Sequence, residues 1–275
     1  MAKYLISFVG TGRATPKVDT FERQYRTARY SFNGAVSESA FVSSVLYDAL
    51  QIDAMILIGT AKSMWEEVYR YFCKRNGHTI DEGYYIELAD TVEKSNHSTD
   101  ISNLEITKVA QAISADSRAV VVPYGLNRDE HIEIFKRLAE AMSVVQAGDQ
   151  IYLDITHSFR SLPLFANAAL GYLKEVKGKD FQFAGVYYGM LDAISEFDNV
   201  APIVDISATI ELSQWTTAAH SFIEYGKGYL LADLLGGDEA KTIRLFSDAV
   251  GINFLSEIKQ KLTNFQRFAT SDLHN

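Results

Sequence analysis

The sequence contains little cysteine, little proline and no long apolar run. Its 275 residues include a single cysteine, Cys73, so no disulfide can form within the chain and a cysteine-rich metal cluster is excluded. The apolar runs are shorter than the roughly 20 residues that a membrane-spanning helix needs. The N-terminal run also lacks the length and the cleavage pattern of a secretory signal. These features predict a protein of the reducing cytoplasm.

Positive charge is also scarce. The chain has 26 Lys and Arg residues against 35 Asp and Glu residues, which gives a net charge of −9. A broad surface for duplex nucleic acid needs many cations to release the counterions of the phosphates, so this class of function is disfavoured. A small anionic ligand is not, because a few donors at helix N-termini can hold phosphates inside an acidic protein.

Five apolar runs, each closed by a glycine, proline or polar turn, alternate with amphipathic segments. Continuous apolar strands are typical of a parallel sheet covered on both faces, so the sequence predicts an α/β, Rossmann-like, doubly wound fold. The patterns Ser63-x-x-Glu66 and Asn127-x-x-Glu130 predict capping boxes at two helix starts, and Pro163 predicts a third. The predicted strands are 4–9, 54–58, 119–122, 150–153 and 181–188.

Other segments depart from this alternation. Residues 23–38 predict a hairpin that turns at Asn33-Gly34, and the polar, irregular residues 77–104 predict a long loop or a partly ordered excursion. From Thr209 onwards the pattern is helical. We therefore predict one ligand-sensing domain over residues 1–207 and a helical region over 208–275. The helical region has an apolar face of Leu212, Trp215, Ala219 and Phe222, with further helices over 229–249 and 253–268.

Glycine-rich or polar turns follow all five predicted strands. Because the carboxyl ends of parallel strands meet at one edge of a sheet, and ligands bind there, we expect these turns to form one site. Glycines allow close approach of the backbone, hydroxyls and amides supply hydrogen bonds, and tyrosines can stack on a base. The predicted ligand-binding residues are Gly10, Thr11, Gly12, Gly59, Thr60, Ala61, Ser63, Tyr124, Gly125, Asn127, Asp154, Thr156, His157, Ser158, Arg160, Tyr188 and Gly189.

Known nucleotide motifs are incomplete in this chain. Gly10-x-Gly12 lacks the third glycine of the dinucleotide fingerprint, since Thr15 occupies that place, and there is no P-loop. A Rossmann-type nucleotide-cofactor enzyme remains a remote alternative. The scattered histidines have no metal-ligand spacing, so neither a metal nor a cofactor is expected; they are His78, His97, His131 and His220.

The densest polar cluster is the turn from Asp154 to Arg160. In a functional interpretation, Thr156, His157 and Arg160 face a ligand while Asp154 fixes the turn or the tautomer of the histidine. In a structural interpretation, Asp154 caps the turn and His157 is part of the packing. The gathering of these residue types directly after a buried strand favours the first.

The segment Asp154-Ile155-Thr156-His157-Ser158-Phe159-Arg160 resembles the signature of the DxTHG-motif CRISPR-associated proteins, which carry a CARF domain. One position departs from that signature, since Ser158 stands where the motif usually has glycine. The resemblance covers most of the chain and includes Leu5 to Gly12, Tyr25 to Tyr30, Ile56 to Thr60, Pro123 to Gly125, Val186 to Gly189, Ile203 to Asp205, Trp215 and Glu224 to Gly226.

This resemblance implies the sensor of a type III CRISPR system. Such a sensor is a homodimer, or a higher even oligomer, that binds a cyclic tetra- or hexa-adenylate across its two-fold interface and controls an attached C-terminal effector domain. It implies neither a membrane nor a duplex nucleic acid as partner. We expect binding without catalysis, but a slow ring nuclease is an alternative, with His157 and Arg160, or Thr11, Thr60 and Ser158, as candidate groups.

The last residues suggest two effector types without completing either. Arg267 and His274 have the spacing of a HEPN ribonuclease motif, and Asp272-Leu273-His274 is similar to the metal-binding entry of an adenosine-deaminase-type barrel. An exposed polar tail is the favoured interpretation of the last five residues. We therefore expect no effector active site within this chain.

Overall fold

The computed structural model describes residues 1–12, 27–157 and 159–252. The chain forms two compact units, Met1–Ile206 and Ser207–Asn275. The first unit is built on one eight-stranded sheet. Its strands are β1 (Lys3–Val9), β2 (Ala28–Phe32), β3 (Ala35–Ser39), β4 (Ala54–Gly59), β5 (Arg118–Val121), β6 (Gln150–Asp154), β7 (Gln182–Gly189) and β8 (Val200–Asp205), arranged in the order β3-β2-β8-β7-β6-β1-β4-β5.

The five predicted strands form the parallel part of this sheet. β1 pairs in parallel with β4 and β6, β5 extends the sheet beside β4, and β7 extends it beside β6. β8 runs antiparallel to β7 and pairs in parallel with β2, to which β3 is antiparallel. The predicted α/β, Rossmann-like, mainly parallel fold is confirmed.

Helices connect the strands and cover the sheet. They are α1 (Val42–Ala49), α2 (Trp65–Asn76), α3 (Glu82–Lys94), α4 (Thr107–Ile113), α5 (Arg128–Ala141) and α6 (Leu162–Gly171), with 3-10 turns at Ile101–Asn103, Met142–Val144 and Leu191–Glu196 and a π-helical turn at Tyr172–Val176. None of the helices in the described part of the chain is both long and apolar enough to cross a membrane.

The core lies on both faces of the sheet. Leu5 and Leu57 join one cluster with Trp65 of α2, while Ile6 and Ile56, the next residues along the same strands, are also fully buried. Because successive side chains of a strand point to opposite faces, both faces must be covered. This burial explains why the strands read as continuous apolar runs.

The hairpin prediction is confirmed over β2 and β3. Asn33 and Gly34 connect the strands with φ angles of 49° and 81°, the left-handed pair that matches the twist of a two-residue hairpin. Residues 23–26 of the predicted hairpin lie outside the described residues.

Two local predictions are wrong. Residues 82–94 form the helix α3 rather than a loop, with Asp81 accepting a hydrogen bond from the backbone N–H of Tyr84 at 3.1 Å and with Leu88 and Val92 buried. Ser63 does not cap α2, which starts after Met64 without a side-chain cap.

The other two predicted helix starts are confirmed. The Asn127 side chain accepts from the N–H of Glu130 at 2.9 Å and caps α5. Pro163 lies in the first turn of α6, where its missing N–H leaves no intrahelical bond unmade.

The second unit is helical, with α7 (Ala208–Tyr225), α8 (Tyr229–Leu235) and α9 (Gly237–Gly251). The Phe222 ring packs against Phe246 with the ring centroids 5.5 Å apart, beside a small core of Ala232, Ala240 and Ile243. The predicted apolar face of α7 is therefore buried only in part, since Leu212 is 66% and Trp215 is 37% exposed. The helix predicted over 253–268 lies outside the described residues.

Candidate ligand-binding site

The candidate site lies at the carboxyl edge of the parallel strands. β1 has β4 on one side and β6 on the other, and the chain reaches β6 only after it has built β4 and β5. Such a reversal of strand order opens a crevice between the two turns that flank it. Here these turns are Gly10–Gly12 after β1 and Asp154–Arg160 after β6, of which Ser158 is outside the described residues.

Asp154 is the centre of a buried hydrogen-bond network. Its carboxylate is 1% exposed, and its Oδ2 accepts from the Ser7 hydroxyl of β1 at 2.8 Å. Its Oδ1 accepts from the N–H of Thr156 at 3.0 Å and from the hydroxyl of Thr156 at 2.6 Å. The Thr156 Oγ1 in turn accepts from the N–H of Gly189, at the end of β7, at 2.8 Å. The network therefore ties three strand ends together and fixes the turn after β6.

His157 lies beside this network. It is partly buried, and its Nε2 atom is shielded from solvent. Burial lowers the pKa of His157, and the negative charge of Asp154 opposes that shift without cancelling it. The imidazole is therefore neutral at neutral pH.

A neutral His157 gives the stability a pH dependence. An unfolded histidine titrates near pH 6.5, so below about that pH the unfolded chain binds a proton that the folded chain resists. We expect the free energy of unfolding to fall as the pH decreases through about 6.5, and His157→Gln to weaken this fall. Urea unfolding at a series of pH values from about 7.5 to 5.5 measures this decrease in the free energy of unfolding. The exposed His78→Gln serves as control and should retain the dependence; equal slopes in all three proteins would contradict the prediction.

The turn after β4 supports the turn after β1. The Ser63 hydroxyl donates to the carbonyl of Val9 at 2.6 Å and accepts from the N–H of Thr60 at 2.9 Å. The N–H of Met64 donates to the carbonyl of Gly10 at 3.1 Å. Thr60 and Ser63 are each 1% exposed, as is Ala61 between them. Ser63 and Met64 therefore hold the β1 turn, and the side chains of the predicted site residues Thr60, Ala61 and Ser63 are buried in the free protein.

Gly12 is constrained by this arrangement. Its φ is +66°, and a Cβ atom built there would lie 1.8 Å from the sulfur of Met64, which is fully buried. We expect Gly12→Ala to lower the free energy of unfolding by about 2–4 kcal/mol, from backbone strain and from overpacking. Gly34→Ala is the matched control, because Gly34 has φ +81° and nothing within 4 Å of the added atom. It should cost only the strain, about 1 kcal/mol. Equal losses in denaturant unfolding would show that Met64 moves aside freely.

The turn after β5 already holds a carboxylate. The N–H groups of Gly125 and Leu126 donate to Oε2 of Glu130 at 2.8 and 3.0 Å, and Nδ2 of Asn127 donates to its Oε1 at 2.9 Å. These hydrogen bonds lower the pKa of Glu130 and keep it ionised.

The same turn reaches the turn after β6 through aromatic rings. The ring centroids of Tyr124 and Phe159 are 5.2 Å apart, and Phe159 is 36% exposed. Of the remaining predicted residues, Thr11, Asn127 and Arg160 are exposed, Tyr188 is partly buried and Gly189 is buried.

Sequence reasoning missed two residues of this region. Ser7 is a polar residue inside an apolar strand, and its position facing Asp154 depends on the β1–β6 register, in which the two residues are direct partners. The capping pattern predicts only a helix cap for Glu130, whereas its side chain closes the preceding turn. For Ser7 the available signal is a polar residue inside an apolar strand, but the capping pattern already accounts for Glu130 and leaves no further signal.

Comparison with known proteins agrees with the predicted fold and with the family that the sequence resembles. Residues 4–190 match the family described as CRISPR system endoribonuclease Csx1, CARF domain. Residues 211–272 match the second domain of CRISPR-associated protein MJ1674. The chain is 38% identical to CRISPR-associated protein MJ1674 of Methanocaldococcus jannaschii over 279 residues, which cover 95% of this chain and 43% of that protein. It thus spans less than half the length of this relative. The chain belongs to the CARF-domain family of type III CRISPR-associated proteins.

Proposed function

We propose that the first unit binds a cyclic oligoadenylate, of four or six nucleotides, and that two copies of the chain hold one ring between them. The observation that carries this proposal is the reversal of strand order at β1, since open α/β sheets bind ligands in the crevice between the two turns that flank such a reversal. At this crevice a buried carboxylate fixes one turn, and the exposed Thr11 and Arg160 remain available to a ligand. Backbone approach at Gly10 and Gly12 suits a phosphodiester, because no side chain intervenes.

The distribution of acidic residues supports a phosphate at this crevice. The first turn of α2 carries Glu66 and Glu67, and the first turn of α5 carries Asp129 and Glu130. The first turn of α6 carries no acidic residue and follows Arg160 directly. Of these three helix starts, that of α6 is therefore the one without carboxylates that would repel a phosphate. Its Leu162 and Leu164 N–H groups already donate to the carbonyls of Phe159 and Ser161, so the attraction would come from the helix dipole and from Arg160.

A homodimer follows from the symmetry of the ligand. A ring of four or six identical nucleotides has a two-fold axis, and it can make identical contacts to two copies of one site across an isologous interface. In this arrangement the crevices of the two copies face each other. A higher even oligomer would be built from such dimers.

Titration calorimetry with cyclic tetra- and hexa-adenylate tests the proposal. We expect heat with at least one ring, a stoichiometry of one ring per two chains, and an increase in melting temperature on saturation. Linear tetra-adenylate serves as the control for a non-cyclic anion, and NAD tests the remote alternative of a cofactor enzyme. Absence of both heat and thermal shift with either ring would end the proposal.

Ring binding would serve as an antiviral signal. We propose that the chain is the sensor part of a longer type III CRISPR effector, in keeping with the larger relative that it covers in part. The effector types suggested by Arg267 with His274 and by Asp272 to His274 lie outside the described residues, so these motifs remain predictions.

Slow cleavage of the ring is a second candidate function. The observation in its favour is that the turn after β6 carries His157, whose imidazole is neutral because burial lowers its pKa. Its Nε2 is shielded from solvent, so this atom can accept a proton from a ribose hydroxyl only if ring binding exposes it. Thr60 is too deeply buried to take part directly. Incubation of labelled ring with excess protein, followed by chromatography, tests this function; a ring that stays intact leaves binding alone.

A further inference from the structure

The turn between β5 and α5 has the geometry of an anion-binding turn. Gly125 has φ +81°, a left-handed conformation that directs neighbouring backbone N–H groups towards a common point. The N–H groups of Gly125 and Leu126 meet there at 2.8 and 3.0 Å from one oxygen, Oε2 of Glu130. The anion at this point is therefore supplied by the chain itself.

Glu130 is held at this point by more than one contact. Its second oxygen accepts from the side-chain amide of Asn127 at 2.9 Å, while its backbone N–H donates to Oδ1 of the same residue at 2.9 Å. A phosphate would have to displace a carboxylate that is tethered to the helix and bound by charge-assisted hydrogen bonds. A tethered group competes at a high effective concentration, so a weakly bound anion does not replace it.

We infer that Glu130 is a specificity-determining residue of the proposed site, because it keeps phosphate off the turn between β5 and α5 and leaves phosphate to the turns after β1 and β6. This inference rests on the proposed function for its biological meaning. The exclusion itself is a property of the free protein. At this strand end the partly buried Tyr124 ring lies with its centroid 5.2 Å from that of the exposed Phe159 ring, and Leu126 and Asn127 are exposed beside it.

Backbone amide NMR of the isotope-labelled chain tests the inference with inorganic phosphate as the probe. In the unchanged protein, the amide signals of Gly125 and Leu126 should not move on addition of phosphate. In Glu130→Ala, both signals should move in a saturable way, because their donors have lost the resident acceptor. The helix start should persist, because Oδ1 of Asn127 accepts from the backbone N–H of residue 130, which the substitution retains.

Asp129→Asn is the matched control. It removes the same charge from the same helical turn but does not open the Gly125–Leu126 donors, so both signals should stay unmoved by phosphate. If Glu130→Ala does not fold, Glu130→Ser opens the same donors and replaces it. A response in the unchanged protein, an equal response in Asp129→Asn, or no response in the opened variant would overturn the inference. Calorimetry with the cyclic oligoadenylate tests the proposed function separately, so a failure of this inference can be distinguished from a failure of the proposed function.

Discussion

Replacement of Asp154 by alanine should remove ring binding and lower the free energy of unfolding by about 3 kcal/mol. The Ser7 hydroxyl and the N–H and hydroxyl of Thr156 all donate to this buried carboxylate. A hydrogen bond to a charged group contributes about 1.5–3 kcal/mol. Removal of the buried charge also relieves a desolvation cost, so the net loss is smaller than the sum of the bonds. For a unit of this size we expect the melting temperature to fall by roughly 6–12 °C.

Two milder variants separate the roles of the two carboxylate oxygens. Asp154→Asn can keep an acceptor towards Thr156, and Ser7→Ala removes only the contact from β1, at a cost of about 1 kcal/mol. Both should therefore keep the turn and most of the ring affinity, as measured by thermal unfolding and calorimetry. Wild-type stability and ring affinity in Asp154→Ala would mean that the packing around Ile155, and not the carboxylate, holds the turn.

The sheet was predictable because its signal is carried by many residues at once. Each parallel strand is buried on both faces, so a run such as Ala54 to Gly59 is apolar throughout and ends at a turn. The hairpin at Asn33-Gly34 was predictable for a different reason, since two adjacent left-handed residues are tolerated by few sequences.

The helix α3 was not predictable from the same patterns. Leu88 and Val92 are its buried residues, and its other contacts include the hydrogen bond from the Tyr85 hydroxyl to Oε1 of Glu67 at 2.9 Å. Two buried aliphatic residues among tyrosines and polar residues form only a short apolar stripe, so the sequence pattern of this segment is irregular. Its burial depends on the tertiary contact to α2.

The placement of the five turns at one edge of the sheet was predictable, but which of their polar groups face solvent was not. All five turns lie at the carboxyl edge, as strand direction requires. Which polar groups face outwards depends on bonds between distant residues. The Ser63 hydroxyl donates to the carbonyl of Val9, and the N–H of Gly125 donates to the carboxylate of Glu130, so neither donor is available to a ligand. Such hydrogen bonds cannot be read from the sequence. They restrict the proposed ligand-contact surface to the turns after β1 and β6.

Arg160→Ala should weaken ring binding by about tenfold or more while leaving stability within about 0.5 kcal/mol of the unchanged protein. Arg160 is exposed and directly precedes the acid-free start of α6, so its guanidinium can reach a phosphate without any role in the core. A guanidinium binds phosphate through two parallel hydrogen bonds, so Arg160→Lys should restore the charge but only part of the affinity.

The salt dependence of ring affinity and a second arginine variant distinguish a direct phosphate contact of Arg160 from an effect of net charge. Loss of a phosphate contact should flatten the decrease of ring affinity with salt, because fewer counterions are exchanged on binding. Arg118 is also exposed, but it is the first residue of β5 and therefore lies at the amino ends of the parallel strands. Arg118→Ala should leave both the ring affinity and its salt dependence unchanged. If the two alanine variants lose affinity equally, the effect comes from the net charge of the protein. The ring would then be held by the backbone groups of the β1 and β6 turns, without a contribution from Arg160.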